Sequence, residues 1–327
     1  MIKVSILIPV YKVECYIKRC LISLFSQDYQ NLEFIFVDDG SPDKSVEIIN
    51  DTVRDYPNRA NQIKIIHHPI NLGSGASRLS ALEAATGDYV MWVDSDDWME
   101  PDVISLFVNK AINENSDIVI ANHFHTFPNE RIEKNIGLIK NKALFIKQLI
   151  TRENAMPVCL WNKLIRRELH LKVKPEKGLN YGEDFCILPR LVYFSNTISQ
   201  ISQYTYNYWQ GNPNSYIKNF SQGSYDNIIK STEILYDFFH KYPDAVSIKS
   251  LQTMRLRTKL LLIGKGDKNQ KKQALKIWPD LKITDDLSVI ENLTLKLASV
   301  GAFGLINFIL KNGVRTKSLF KKLKTAQ

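Results

Sequence analysis

Residues 89–98 read YVMWVDSDDW: an apolar run, Tyr89–Val93, that passes directly into Asp94-Ser95-Asp96-Asp97. The run is short and rich in β-branched and aromatic residues, which predicts a buried strand. Three carboxylates within four residues repel one another unless something positive sits among them. In an open α/β sheet, ligands lie beyond the carboxyl ends of the strands. A divalent cation carried on a diphosphate would supply the missing charge, because hard cations prefer carboxylate and phosphate oxygens. The same Asp-x-Asp on a surface loop would read as a turn or a helix cap; its place at a strand end decides for the site.

The flanking sequence supports that sheet. Val4–Val10, Leu32–Val37, Ile63–Ile66 and Ile118–Ala121 are further strand-like runs. Segments with helical spacing, Cys15–Gln27, Asp43–Arg54, Gly75–Ala85 and Asp102–Asn113, alternate with them. Strand–helix–strand repetition predicts an α/β fold with a mostly parallel central sheet covered on both faces. Strands one and two end in Pro9-Val10-Tyr11 and Asp38-Asp39-Gly40-Ser41. A carboxylate of the Asp38-Asp39 pair can accept from a base N–H or a ribose hydroxyl. Ser41, followed by Pro42 and Asp43, is placed to cap the next helix. Tyr11 is either a stacking platform for a base or a core aromatic. Asn71-Leu72-Gly73-Ser74-Gly75 is glycine-rich and opens a helix, but it follows strand three and is not G-x-G-x-x-G, so a dinucleotide fingerprint is absent. Arg78, one turn further on, either reaches a nucleotide or pairs with an acid of the 94–97 cluster.

Beyond residue 122 the pattern is mixed. Tyr181-Gly182-Glu183-Asp184-Phe185 is a second acidic element, about 90 residues after the first. A carboxylate there suits a general base or a helix N-terminus. Trp161-Asn162-Lys163 could place a sugar platform and a cation, or simply a buried Trp and a surface Lys. His67 and His68 at a strand end read as structural. His123 and His125 share one face of a strand. Tyr204–Tyr216 reads as a strand and a turn-rich loop. Helices are expected over Tyr225–His240, Val246–Gly264, Asn269–Ile277, Ile290–Phe308 (with a break at Gly301 or Gly304) and Thr316–Lys324.

The composition is that of a globular chain of 327 residues, 44% hydrophobic and 24% charged. Four scattered cysteines without a CxxC pair argue against a disulfide framework or a zinc ribbon and fit a reducing, cytoplasmic setting. No separate apolar signal region precedes the first strand. The net charge of +9 is uneven: residues 1–220 carry 24 basic against 25 acidic side chains, and residues 221–327 carry 19 against 9. A neutral body with a basic end argues against general nucleic-acid binding and for docking on an anionic surface. Leu297–Leu310 holds no charge, but as a helix it would be about 21 Å long, short of a bilayer core of about 30 Å. Followed by Lys311, Arg315, Lys317, Lys321, Lys322 and Lys324, it resembles an interfacial segment that lies on anionic lipid.

Taken together, VSILIPVY at 4–11, VDDGS at 37–41, NLGSGASR at 71–78, VDSDDW at 93–98, WNKL at 161–164 and GEDF at 182–185 resemble glycosyltransferase family 2 with the GT-A fold. The resemblance covers about residues 1–215. It implies a Rossmann-like nucleotide-binding domain over 1–220, with 1–121 for the nucleotide sugar and 122–220 for the acceptor, and a helical, basic, membrane-associating region over 221–327. It further implies an inverting, single-displacement transferase of the hexosyl type that uses a nucleotide-diphospho-sugar, usually UDP-linked, with Mn2+ or Mg2+. By position, Pro9, Tyr11, Asp38 and Asp39 would line the base. Asp94 and Asp96 would contact the ribose and the metal; on their own chemistry Ser95, Arg78 and Lys163 are further candidate donor contacts, Arg78 at the nucleotide and Lys163 near the leaving diphosphate. Metal binding would fall to Asp94, Asp96 or Asp97, members differing in which carboxylate is used. Asp184 would be the base, oriented by Glu183, and Trp161 would carry the acceptor sugar. The Gln-x-x-Arg-Trp element and membrane spans of the processive synthases are absent, so one sugar per encounter is expected. Similar enzymes extend lipid-linked glycans for capsule, O-antigen or exopolysaccharide at the inner leaflet, which implies a lipid-linked acceptor and a peripheral location on the cytoplasmic face. Two rivals stand beside this reading: a sugar nucleotidyltransferase, disfavoured because Pro9–Glu14 lacks the glycine-rich loop, and a non-catalytic membrane-tethered nucleotide binder, disfavoured by the intact acidic clusters.

Overall fold

The structure, a computed structural model, describes residues 1–153, 156–215 and 218–307. Its first half is β1 (Val4–Val10), α1 (Ile17–Phe25), β2 (Leu32–Asp38), α2 (Ser45–Arg54), β3 (Ile63–His67), α3 (Ser74–Ala84) and β4 (Tyr89–Trp92). These four strands lie side by side in the order β3-β2-β1-β4, all parallel. β1, β2 and β4 are apolar on both faces because both faces are covered, whereas edge strand β3 is only half-buried, with Lys64 and His67 exposed. From β1 the side chains of Val4, Ile6, Ile8 and Val10 enter one core with Phe34 and Phe36, and Leu7 enters the opposite core with Ile35, Val37 and Trp92.

The second half comprises β5 (Trp98–Met99), α4 (Val103–Asn113), β6 (Ile118–Thr126), β7 (Arg131–Lys134), α5 (Lys142–Thr151), β8 (Lys163–Arg166), α6 (Arg167–Lys172), α7 (Glu183–Phe194) and β9 (Ile198–Trp209). The sheet continues β4-β8-β6-β9-β5, with β7 beside β6. Here β8 runs antiparallel to both neighbours, and β9 runs parallel to β6. The chain steps from β1 to β2 and β3 on one side and returns to place β4 on the other. The crevice of a doubly wound sheet therefore opens at β1 and β4.

The helix over residues 43–54 begins later than its sequence predicts. Its N-cap is Lys44, without a side-chain cap bond. Ser41 does not cap it: Ser41 Oγ accepts the Lys12 N–H (2.8 Å) and donates to Asp43 Oδ1 (2.8 Å), which ties the loop after β2 to the loop after β1.

The helices α8 (Gln222–His240), α9 (Ile248–Lys265), α10 (Lys268–Lys276) and α11 (Val289–Ser299) follow. Leu235 and Phe239 of α8 and Leu251 and Met254 of α9 share one core with Trp92 and Leu188. The expected break falls at Gly301, whose φ of +75° is left-handed. Among the described residues no helix is long and apolar enough to cross a membrane. The expected Thr316–Lys324 helix, residues 308–310 of the apolar segment and the cations from Lys311 to Lys324 lie outside the described residues.

Candidate active site

The carboxyl ends of β2, β1 and β4 bring three of the sequence motifs together. Parallel register sets Val10 beside Asp38 and Leu7 beside Trp92, so the polar residues that follow emerge at one edge. Asp38 and Asp39 are both buried. Asp38 Oδ1 accepts the Ser41 N–H (2.8 Å), and its Oδ2 pairs with His67 Nδ1 (3.0 Å). Asp39 accepts the N–H groups of Leu72 (2.9 Å) and Gly73 (2.8 Å) and pairs with His68 Nδ1 (2.7 Å). The opposite nitrogen of His68 meets Ser80 Oγ (2.9 Å). The two adjacent histidines thus fix the two adjacent aspartates, and Asp39 anchors the glycine-rich turn. Pro9 and Tyr11 are half-buried beside them, with Lys12 Nζ 5.1 Å from the Tyr11 ring centroid.

Glycine at 73 and 75 is required by close approach. A Cβ at Gly73, where φ is +89°, would collide with the Asn180 side chain, and one at Gly75 would lie 2.4 Å from the Glu176 carbonyl oxygen. Those contacts carry the 176–184 segment onto the start of α3 and so deliver the GEDF motif to the site.

Arg78 sits at the centre of the acids. Its side chain is 6% exposed and faces three carboxylates: Asp94 Oδ1 at 3.0 Å, Glu183 Oε1 at 3.5 Å and Asp184 Oδ1 at 3.7 Å. Of the two alternatives open for it in the sequence, the structure takes the pairing with acids. Its guanidinium also lies over the Trp92 ring (5.1 Å). Burial alone would make the cation easier to neutralise; the three acids outweigh burial and hold it protonated. Nε and Nη1 have no hydrogen-bond partner among the described residues.

Glu183 and Asp184 occupy the first turn of α7, after Gly182 in the left-handed region. The helix-terminal and the acid–base readings of GEDF are thus compatible. Asp184 Oδ2 accepts the Leu160 N–H (3.0 Å); Oδ1 is buried without a hydrogen-bond partner. Burial pushes the Asp184 carboxyl up to about 7, with Arg78 opposing and Glu183 and Asp94 adding to the rise. Glu183 Oε1 accepts from Ser74 Oγ (3.2 Å).

The acidic turn after β4 is held by β9 and the loop beyond it. The Asp94 N–H donates to Tyr206 Oη (3.0 Å), Asn212 Nδ2 donates to Asp96 Oδ2 (2.8 Å), and the Trp209 N–H donates to Asp97 Oδ1 (2.7 Å). Arg19 donates to the Asp96 carbonyl (3.1 Å), its guanidinium lying 3.6 Å from the Trp98 ring centroid and 4.7 Å from that of Trp209. Burial raises Asp96, and raises Asp97 well above the usual carboxylate range with Asp96 and Asp94 adding to it. Asp97 is fully buried and turned toward β9, so it does not line the crevice and the expectation of a shared metal role moves to Asp94 and Asp96. Ser95 is buried between them. Among the described residues no three acidic, His or Cys side chains form a ready-made metal cluster.

Two further expectations change. Lys163 is 1% exposed, and its Nζ donates to the Cys159 carbonyl and to Asn162 Oδ1, each at 2.6 Å. Burial lowers its pKa. It braces the turn into β8 and has no free face for a phosphate. Trp161 is 5% exposed, stacked on Tyr206 (4.5 Å) and Tyr208 (5.4 Å) with His123 edge-on (4.7 Å). The half-buried rings of Tyr208 and His125, 5.4 Å apart, are the more open side of that cluster. His123, pushed down to about 3 by burial, is a neutral core residue. Sequence reading missed Tyr206, Trp209, Asn212, Asn180 and Arg19; the alternation in YTYNYW was the available signal for the first two.

Comparison with known proteins agrees with this architecture. The family model described as Glycosyl transferase family 2 matches residues 5–173. EpsH of Bacillus subtilis (strain 168), a glycosyltransferase by name, is 36% identical over 214 residues, 63% of this chain and 60% of its own. The poly(ribitol-phosphate) beta-glucosyltransferase of Bacillus spizizenii (strain W23) is 37% identical over 121 residues, 36% of this chain and 18% of its own. The chain thus spans less than two thirds of the length of these relatives. The crystal structure of Staphylococcus aureus TarS 1–349 in complex with UDP-GlcNAc superposes with a TM-score of 0.61 at 17% identity, over 95% of this chain and 92% of that one, a likeness of fold. With the family model covering half of its length and the GT-A architecture in place, the chain belongs to glycosyl transferase family 2.

Proposed function

We propose that the protein transfers a sugar from a UDP-sugar to a glycan hydroxyl by a single displacement that inverts the anomeric centre. The observation that carries this is the Asp184 carboxyl: one oxygen fixed by the Leu160 N–H, the other buried without a hydrogen bond and 3.7 Å from Arg78, with a proton affinity near neutrality. A general base needs that combination of geometry and pKa. Asp184 takes the proton of the acceptor hydroxyl as its oxygen bonds to the anomeric carbon; the bond to the diphosphate oxygen breaks, and its electron pair leaves with UDP. An α-linked donor therefore gives a β-linked product. Arg78 Nη1, which makes no hydrogen bond among the described residues, suits a donor oxygen. Asp38 and Asp39, beside Tyr11, suit the base and ribose.

Mn2+ or Mg2+ fits the acidic turn as an ion completed by the donor. Asp94, 32% exposed, and Asp96 would hold it, with diphosphate oxygens supplying further ligands. When bound, such an ion neutralises charge on the leaving diphosphate. Calorimetric titration of UDP with Mn2+, then with EDTA, tests the donor site: binding should be metal-dependent and fall at least tenfold in Asp96→Asn. Equal affinity with and without metal would remove the cation from the reading.

The acceptor we propose is a lipid-linked glycan of a bacterial surface polysaccharide, met at the cytoplasmic face of the membrane. Residues 1–121 would serve the donor, 122–220 the acceptor, and 221–327 the membrane. The TarS ligand UDP-GlcNAc supports the donor class, and the poly(ribitol-phosphate) beta-glucosyltransferase supports a polymer hydroxyl as acceptor. The basic excess beyond residue 220 and exposed apolar side chains on and after α11, Val289 (84%), Leu293 (44%) and Val300 (76%), support the membrane surface. Leu293→Asp with Val300→Asp should abolish co-sedimentation with phosphatidylglycerol vesicles and leave UDP binding unchanged; undiminished vesicle binding would sink this docking face.

A further inference from the structure

The 178–182 segment, which leads into the acidic pair of α7, is held from the C-terminal helices, outside the region matched by the family model. It is flanked by two left-handed glycines, Gly178 (φ +73°) and Gly182 (φ +77°). A segment between two such residues has little intrinsic stiffness. One side chain spans it: Asn227 of α8 accepts with a single Oδ1 the N–H groups of Asn180 (2.6 Å) and Tyr181 (3.1 Å), and its Nδ2 donates to the Gly178 carbonyl (3.3 Å). Asn180, so held, meets the glycine-rich turn on the other side. Its Oδ1 accepts the Gly75 N–H (3.2 Å), and its carbonyl accepts from Ser74 Oγ (3.2 Å), the hydroxyl that also donates to Glu183. Tyr181 Oη accepts from Lys265 Nζ of α9 (3.0 Å).

We propose that Asn227 is a positioning residue for the catalytic base: by clamping residues 178–181 it sets where α7 begins, and so where Asp184 stands relative to Arg78 and the acceptor hydroxyl. The proposal rests on Asp184 being the base. It makes the C-terminal helices part of the catalytic machinery as well as a docking region. The hydrogen bonds of Asn227 go to residues 178–181 and not to the 94–97 turn, so its loss should spare donor binding. A base displaced by about 1 Å can cost about 10²-fold in rate.

The test compares Asn227→Ala, Asn227→Asp, Asp184→Asn, the Asn227→Ala/Asp184→Asn double variant, and Asp237→Ala as an exposed control on α8. UDP affinity is read by calorimetry with Mn2+. Turnover is read as UDP release from UDP-glucose, UDP-galactose and UDP-N-acetylglucosamine, and clamping as amide hydrogen exchange over 178–186. In Asn227→Ala, kcat should fall roughly 10- to 100-fold with the UDP dissociation constant within about twofold, and the Asn180 and Tyr181 amides should lose protection. Asn227→Asp keeps the Oδ1 acceptor and should stay within about threefold of wild type. In the Asp184→Asn background, Asn227→Ala should add no more than about a further twofold, because the group it positions is gone. Wild-type turnover in Asn227→Ala while Asp184→Asn is inactive would overturn the positioning role alone, as would the same fold loss in both backgrounds or UDP affinity falling in step with kcat. Full turnover in Asp184→Asn would overturn the base assignment, and the proposal with it. Where none of the three donors is turned over, exchange decides: unchanged protection of Asn180 and Tyr181 overturns the clamp.

Discussion

Asp184→Asn is expected to lower sugar transfer by about 10²- to 10⁴-fold, the usual contribution of a positioned base, with UDP affinity unchanged within about twofold. The amide keeps the shape and the Oδ acceptor for the Leu160 N–H, so the fold around α7 should persist. The pH dependence gives an independent check. A base with a folded pKa of about 7 must lose its proton before it can act, so kcat/KM should rise with pH through that value as a single ionisation and level off above it. Stability should move the other way. The folded pKa lies above the ordinary value of 3.8, so the unfolded chain gives up this proton first as pH rises. Asp184 therefore contributes stability that is complete below about 4 and is lost on the way up to about 7. In Asp184→Asn that part of the slope should vanish. A variant that retains the wild-type transfer rate would refute the base assignment.

Arg78→Ala is expected to be the most damaging single change to stability. It leaves Asp94, Glu183 and Asp184 facing one another without their buried cation. Removing one partner from a buried charge network costs about 3–5 kcal/mol. The remaining carboxyls can escape their mutual repulsion by taking up protons. The penalty should therefore shrink as pH falls from 8 to 6 and be largest at the alkaline end. Denaturant unfolding at the two pH values measures this; a loss below about 1 kcal/mol at pH 8 would show that the acids do not depend on Arg78. Arg78→Lys should recover only part of the loss, because an ammonium cannot reach three carboxylates as a planar guanidinium does.

The strand-end half of the candidate site was legible in the chain because it is built from local segments. β1, β2 and β4 are largely apolar runs, their ends are marked by Tyr11, Asp38-Asp39 and Asp94–Asp97, and parallel pairing obliges those ends to share one edge. The partners that tune these residues were not legible. His67 and His68 read as structural residues, and nothing nearby in sequence reveals that they fix Asp38 and Asp39, 29 residues away in each case. Asp94, Asp96 and Asp97 read alike; the contacts with Tyr206, Asn212 and Trp209, more than 100 residues on, give them different roles. Lys163 read as a candidate phosphate ligand because its type and neighbours suit one, and the interior face of β8 decided otherwise.

By itself, then, the sequence determined the fold, the family and the set of acids, since apolar periodicity and strand-end chemistry are encoded within a few residues. Only the tertiary structure decided how deeply Asp184 is buried, which cation it faces and which helix clamps the segment before it. Proton affinity is set by burial and by charges brought near in space. The Arg78–Asp94–Asp184 constellation and the Asn227 clamp arise only when α3, β4, α7 and α8 are packed together.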